Sequence, residues 1–232
     1  MKVKIKPIHS KFRLIQTLLQ RKEAVLASNW LFQGTLYMEV TEVIFKTIFE
    51  VVVFGFFFVI FTFLNFYAYL TATLSFFLAH TCNWLFNGHL FVLGRFLGFT
   101  SSEAEPFIDY PDGIQHRLSL RKSIEALAFF GSLSRQHFST TSDLDVRVIR
   151  APGITNGLAA CFWTFIERSR ALLHRYPLDI YVIRKQESFE KLRKDEYPII
   201  LFDKTCFFSR HYHICYTYDN FRKDFITKYV KK

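Results

Sequence analysis

The stretch LAFFGSLSRQHFSTTSDLDVRVIR, Leu127–Arg150, decides how this chain is read. An apolar run ends in Gly131-Ser132, and Asp143-Leu144-Asp145 opens a second apolar run. Side chains two apart on a strand point to one face, so Asp143 and Asp145 aim together while Leu144 and Val146 point into a core. Two carboxylates held close repel one another unless a cation stands between them. Hard oxygen ligands of this kind suit Mg²⁺, or Mn²⁺, together with substrate phosphate oxygens. Asp179, in PLDIYVI, is a third acid inside an apolar run.

Gly131 lets the backbone turn tightly and approach a phosphate. The Ser132 hydroxyl and the N–H groups after it can hold anionic oxygens, and Arg135 adds a fixed charge with bidentate geometry. Singly, a Gly-Ser turn or an Asp-x-Asp loop is common on protein surfaces. In this order they predict a metal-dependent phosphoryl-type site.

Around that stretch the pattern alternates. RLSLRKSIEAL reads as a helix, AFFGS as a strand ending in a turn, and DLDVRVIR as a second strand. TNGLAACFWTFIERSRALLHRY reads as a long amphipathic helix, LDIYVIR as a third strand and ESFEKLRKDE as a short charged helix. The expected class is α+β of α/β type with a mixed sheet.

The order of motifs resembles the nucleotidyltransferase superfamily, the fold shared by DNA polymerase beta, aminoglycoside nucleotidyltransferases and the minimal nucleotidyltransferases. FFGSLSR, SDLDVRV and LDIYVI match its three-part signature in turn, over roughly Ser119 to Leu201. The resemblance implies that Asp143 and Asp145 ligate metal and that Gly131 and Ser132 bind the triphosphate. It implies that Asp179 completes the metal site and activates an acceptor hydroxyl. One departure is Arg135-Gln136, where relatives of the minimal type often carry Arg-Gly.

The rest of the chain is a different object. From Val51 to Gly94 there is no Asp, Glu, Lys or Arg, and Phe accounts for 29 of the 232 residues. One bilayer crossing takes about 20 apolar residues, and this stretch is more than twice that. It predicts a transmembrane helical hairpin within residues 36–99, with spans near 44–64 and 67–87, a turn near Asn65 and an interfacial run after it. Residues 1–35, with Leu14, Ile15, Leu18, Leu19 and Val25 at helical spacing among basic residues, predict an amphipathic helix on the membrane surface or packed on the catalytic domain. Residues 100–116 read as a linker, 117–202 as the nucleotidyltransferase domain and 203–232 as a basic extension.

The net charge of +10 is concentrated at the two ends. Beside an apolar segment such clusters are cytoplasmic flanks attracted to anionic lipid. The location expected is therefore a multi-pass membrane protein with both termini and the catalytic domain in the cytoplasm. No nucleic-acid-binding motif accompanies the charge, so nucleic acid is not an expected partner. Glu42, Lys46 and Glu50 share a helix face where Lys46 can pair with either neighbour, and His80, Asn83, Asn87 and His89 predict helix–helix hydrogen bonds. CFFSRHYHIC brings His211 and His213 between Cys206 and Cys215. Its spacing fits no common zinc site, and the alternation predicts a short strand.

Together these features predict a membrane-anchored enzyme that transfers a nucleoside monophosphate from a triphosphate, ATP among the candidates, to an acceptor hydroxyl on lipid, glycan or protein. The alternatives are a nucleotide-binding membrane sensor without turnover, and a toxin-type membrane effector. Self-association into a homo-oligomer suits either part of the chain.

Overall fold

A computed structural model of the chain describes residues 22–33, 38–89, 103–139, 142–183 and 196–231. The elements, in chain order, are α1 (Lys22–Phe32), α2 (Val40–Phe63), α3 (Ala68–Trp84, running on into a π-helical turn at Leu85–His89), α4 (Ala104–Ser119), β1 (Ile124–Phe129) and α5 (Gly131–Ser134). They continue with β2 (Leu144–Arg150), α6 (Ile154–Leu173), β3 (Leu178–Ile183), β4 (Ile199–Asp203), α7 (Phe207–His211), β5 (Tyr216–Thr217) and α8 (Tyr218–Phe225, running into a turn at Ile226–Val230). The class is mixed α and β, with a five-stranded sheet of order β3-β2-β1-β4-β5. β1 pairs antiparallel with β2 and β4, while β2/β3 and β4/β5 are parallel.

Alternation along the strands divides the sheet into two faces. Leu127, Phe129, Leu144, Val146, Val148, Leu178, Ile180 and Val182 form the main core with α4, α6 and α8. Ala126, Ala128, Phe130, Ile149 and Ile183 form a smaller core with Phe207 and Phe208 of α7. Asp145 and Asp179 alternate with main-core residues, so they stand on this second, more thinly covered face.

Three expectations give way here. Most of the stretch read as a linker, 100–116, is helix: α4 covers it from Ala104 onward and buries Phe107, Ile108, Pro111, Ile114 and Leu118. Pro111 removes the N–H that would bond the Phe107 carbonyl, and the Tyr176 hydroxyl donates to that carbonyl instead at 2.9 Å. The Tyr218 hydroxyl likewise donates to the Ile108 carbonyl at 3.0 Å. Secondly, RLSLRKSIEAL is not one helix: α4 ends at Ser119, and Ile124 begins β1, a strand buried on both faces. Thirdly, His211 ends a helix rather than lying on a strand. Both Asp203 carboxylate oxygens accept N–H bonds at 2.8 Å, from Phe207 and Phe208, which starts α7. The C-terminal stretch packs back onto the domain, with Tyr218 and Phe225 in the main core. The segment read as a charged helix lies mostly outside the described residues, as do Leu14, Ile15, Leu18 and Leu19.

α2 and α3 form a helical hairpin that turns at Leu64-Asn65, where Asn65 takes the left-handed conformation at φ 59°. Among the described residues α2 is the one helix long and apolar enough to cross a membrane. Glu42 and Glu50 take partners from other elements. Arg168 of α6 donates to Glu42 at 2.7 Å, and His80 and Asn83 bond Glu50 at 2.8 and 2.7 Å. The bonds of His80 and Asn83 join α3 to α2, and Asn87 donates to Asn83 within the same helical run. α1 closes the base of the hairpin, with the Trp30 ring edge-on to His80 at 4.5 Å.

Candidate active site

β1 delivers Gly131 directly over β2. The Phe130 N–H bonds the Asp145 carbonyl at 2.9 Å, and Gly131 follows at φ +74°. A Cβ at this position would lie 1.9 Å from Asp145 Oδ2. Glycine is thus required twice, for the left-handed backbone and for the carboxylate beneath it. The single turn α5 follows, held by the Ser134 hydroxyl donating to the Gly131 carbonyl at 2.9 Å. Gln136 then adopts φ +55°, the left-handed conformation that glycine takes at low cost. Its carbonyl accepts from Lys228 Nζ at 3.2 Å and the Tyr229 hydroxyl at 2.9 Å, so the C-terminal turn holds the strained residue in place.

The parallel register of β2 and β3 sets Asp145 opposite Asp179 and Arg147 opposite Tyr181. The Asp145 and Asp179 carboxyl groups are in hydrogen-bonding contact. Burial, then the charges of Asp179 and Asp143, push the Asp145 carboxyl up to about 8, against the opposing pull of Arg147. Burial also raises Asp179, opposed by Arg147 and by a hydrogen bond from Tyr181. The Arg147 guanidinium lies 3.9 Å from Asp145 and stacks over the Tyr181 ring at 4.7 Å. One arginine against this many carboxylates leaves an electrostatic deficit, which a divalent cation with oxygen ligands would fill.

The donor set therefore fits Mg²⁺ or Mn²⁺ at Asp145 and Asp179, with Asp143 near enough to act on Asp145 electrostatically. Among the described residues no three His, Cys, Asp or Glu side chains are gathered into a ready-made cage. Substrate oxygens would have to complete the coordination, as is usual for Mg²⁺. In the Cys206–Cys215 stretch, His211 Nδ1 is bonded to the Phe207 carbonyl at 2.7 Å.

Beside the acids lies a cradle for an anion. The Gly131 N–H donates to Glu196 Oε2 at 3.4 Å, and the Arg135 guanidinium pairs with Glu196 Oε1. Ser132 lies nearby, its hydroxyl 3.5 Å from that of Ser142. Of the six residues singled out from the sequence, Asp143 and Asp179 act on Asp145 and Gly131 lies over it, while Ser132 reaches the group through Ser142 and Arg135 through Glu196. Sequence reasoning missed Arg147, Tyr181 and Glu196. The first two were legible, since each lies two residues beyond a site acid on the same strand face. Glu196 carried no local signal, because it arrives from beyond β3. A mostly apolar cavity of about 60 Å³, lined by Leu133, Phe138, Phe221, Phe225 and Tyr229, touches none of the acids. No protein-family model matches the chain, and no curated protein or solved structure matches it either.

Proposed function

We propose that the protein is a membrane-anchored, Mg²⁺-dependent nucleotidyltransferase that joins a nucleoside monophosphate to the hydroxyl of an acceptor at the bilayer. The observation that carries this reading is the Asp145–Asp179 carboxyl pair buried under Gly131, beside a backbone N–H and an arginine already arranged around an anion. Structural carboxylates gain nothing from such crowding, whereas a cation-binding site requires it.

In this reading Gly131, Ser132 and Arg135 hold the triphosphate, and Asp143, Asp145 and Asp179 hold the metal. A metal held there would supply positive charge to neutralise the phosphate oxygens. Asp179 accepts the proton of the acceptor hydroxyl, whose oxygen attacks the α-phosphorus. The bond from the α-phosphorus to the bridging oxygen breaks, and pyrophosphate leaves past Arg135, which stabilises its charge. The exposed apolar hairpin supplies the anchor and presents the site to a lipid, a lipid-linked glycan or a membrane protein.

The test uses full-length protein in detergent with α-labelled nucleoside triphosphates, Mg²⁺ and native membrane extract. Metal-dependent transfer of label is expected, with Asp145→Ala and Asp143→Asn reducing it by at least 10²-fold. Tight nucleotide binding with neither transfer nor pyrophosphate release would favour a sensor instead.

A further inference from the structure

Glu196 is a charged group at the anion cradle to which the proposed chemistry gives no task. It is buried, 8% exposed, and its carboxylate accepts from the Gly131 N–H and from Arg135. Those are two of the donors assigned above to phosphate oxygens. A carboxylate and a phosphate present the same acceptor chemistry to an N–H and a guanidinium. The two anions therefore compete for the same hydrogen atoms.

We propose that Glu196 is an internal stand-in for substrate phosphate, occupying the Gly131–Arg135 cradle until a nucleotide's phosphate displaces it. This rests on the phosphate-binding reading of the same residues. Three observations support it. Glu196 and Asp145 meet at the same glycine, since the Gly131 N–H donates to Glu196 while a Cβ on Gly131 would lie 1.9 Å from Asp145 Oδ2, and a second carboxylate there is electrostatically costly unless the cradle holds it. The Arg135 side chain is one-third exposed, so an incoming anion can reach the guanidinium from solvent. Glu196 also precedes β4, which starts at Ile199, so it can leave without disturbing a strand pairing.

The stand-in keeps the basic cradle satisfied beside a crowded acidic site, and it sets a threshold. The apparent affinity for a phosphate ligand is the intrinsic affinity reduced by the fraction of molecules with the cradle open. Replacing Glu196 with Gln keeps its shape but replaces an ion pair with a hydrogen bond from the Arg135 guanidinium to a neutral amide oxygen. Phosphate ligands should then bind about tenfold more tightly.

The experiment is calorimetric titration of full-length wild type, Glu196→Gln and Glu196→Asp in detergent. The probes are inorganic tripolyphosphate and ATP, each with Mg²⁺. Melting curves establish that each variant is folded. The expected result is roughly tenfold tighter tripolyphosphate binding by Glu196→Gln, with Glu196→Asp between it and wild type because its carboxylate is one methylene short. Binding by Glu196→Gln alone, with none by wild type, is the strongest form of the same result. Equal or weaker binding by Glu196→Gln, with wild type binding well, overturns the stand-in and leaves the phosphate site standing, Glu196 then merely orienting Arg135. If neither protein binds either probe, the phosphate-site reading falls and the stand-in falls with it.

Discussion

A carboxyl group pressed against a glycine, with a second acid beside it, is costly to keep. In the folded protein Asp145 retains its proton up to about pH 8. In the unfolded chain an aspartate ionises near pH 3.9. As pH rises between those values the unfolded state gives up this proton and the folded state does not. Stability without divalent ions therefore falls across that window, by on the order of a few kcal/mol. Asp145→Asn removes this carboxyl's titration and leaves that of Asp179. In metal-free buffer its melting temperature should exceed that of wild type at pH 8, and the two should converge toward pH 4. Coincident melting curves at pH 8 would mean that the carboxylate is not under electrostatic strain. Gln136 shows a different kind of strain, since a residue with a Cβ holds a left-handed turn. Contacts from Lys228 and Tyr229 make that tolerable.

At the scale of elements, the hairpin is clamped to the α/β domain along α6. Gly157 permits the close approach, because a Cβ there would meet the Thr41 side chain at 2.6 Å. Arg168 then crosses the contact. It donates to the carbonyl of Ile180 on edge strand β3, to Asn87 at the end of the hairpin and to Glu42 on α2. A second clamp joins Arg150, at the end of β2, to Glu39. Removing one member of a buried ion pair strands the other. Arg168→Leu should therefore destabilise the protein by about 3–5 kcal/mol, and Glu42→Leu added to it should recover much of that loss. Denaturation of the detergent-solubilised proteins measures both, and a single-variant cost below about 1 kcal/mol would count against the clamp. Because the Ile180 carbonyl is next to Asp179 in β3, the clamp also fixes the strand that carries a site acid.

At the scale of the whole molecule, the outer face of α2 exposes Val40, Ile44, Ile48, Val52, Val59 and Phe63, one helical stripe along a 24-residue helix. That helix is roughly 36 Å long, against a hydrocarbon core of about 30 Å. If α2 crosses the bilayer as proposed, this stripe is the side it turns to lipid. The hairpin tip at Asn65 should then reach the far side of the membrane. In intact cells Asn65→Cys should react with a membrane-impermeant maleimide added outside, above the background of wild type and its four native cysteines. Protection from that reagent would place the tip within the bilayer and the anchor in one leaflet.

The strands and the acids were legible in the sequence because period-two alternation and acid spacing are local properties. Residues Leu144–Arg150 and Leu178–Ile183 form the expected strands, and the turn near Asn65 lies where it was placed. α4 was hidden because Pro111 and Gly113 argue locally against a helix, and the Tyr176 and Tyr218 hydroxyls that compensate come from far along the chain. Arg147 and Tyr181 needed only the strand alternation already in use. Glu196 and Arg168 needed more, since what each touches depends on which elements meet. By itself, then, the sequence determined an apolar, charge-free segment and an acid-bearing unit of alternating helices and strands. Only the tertiary structure decided that the two parts share a buried polar seam and that the cradle beside the acids already holds a carboxylate. The physical reason is that periodicity and propensity act between neighbours in the chain, whereas ion pairs and steric approach act between neighbours in space.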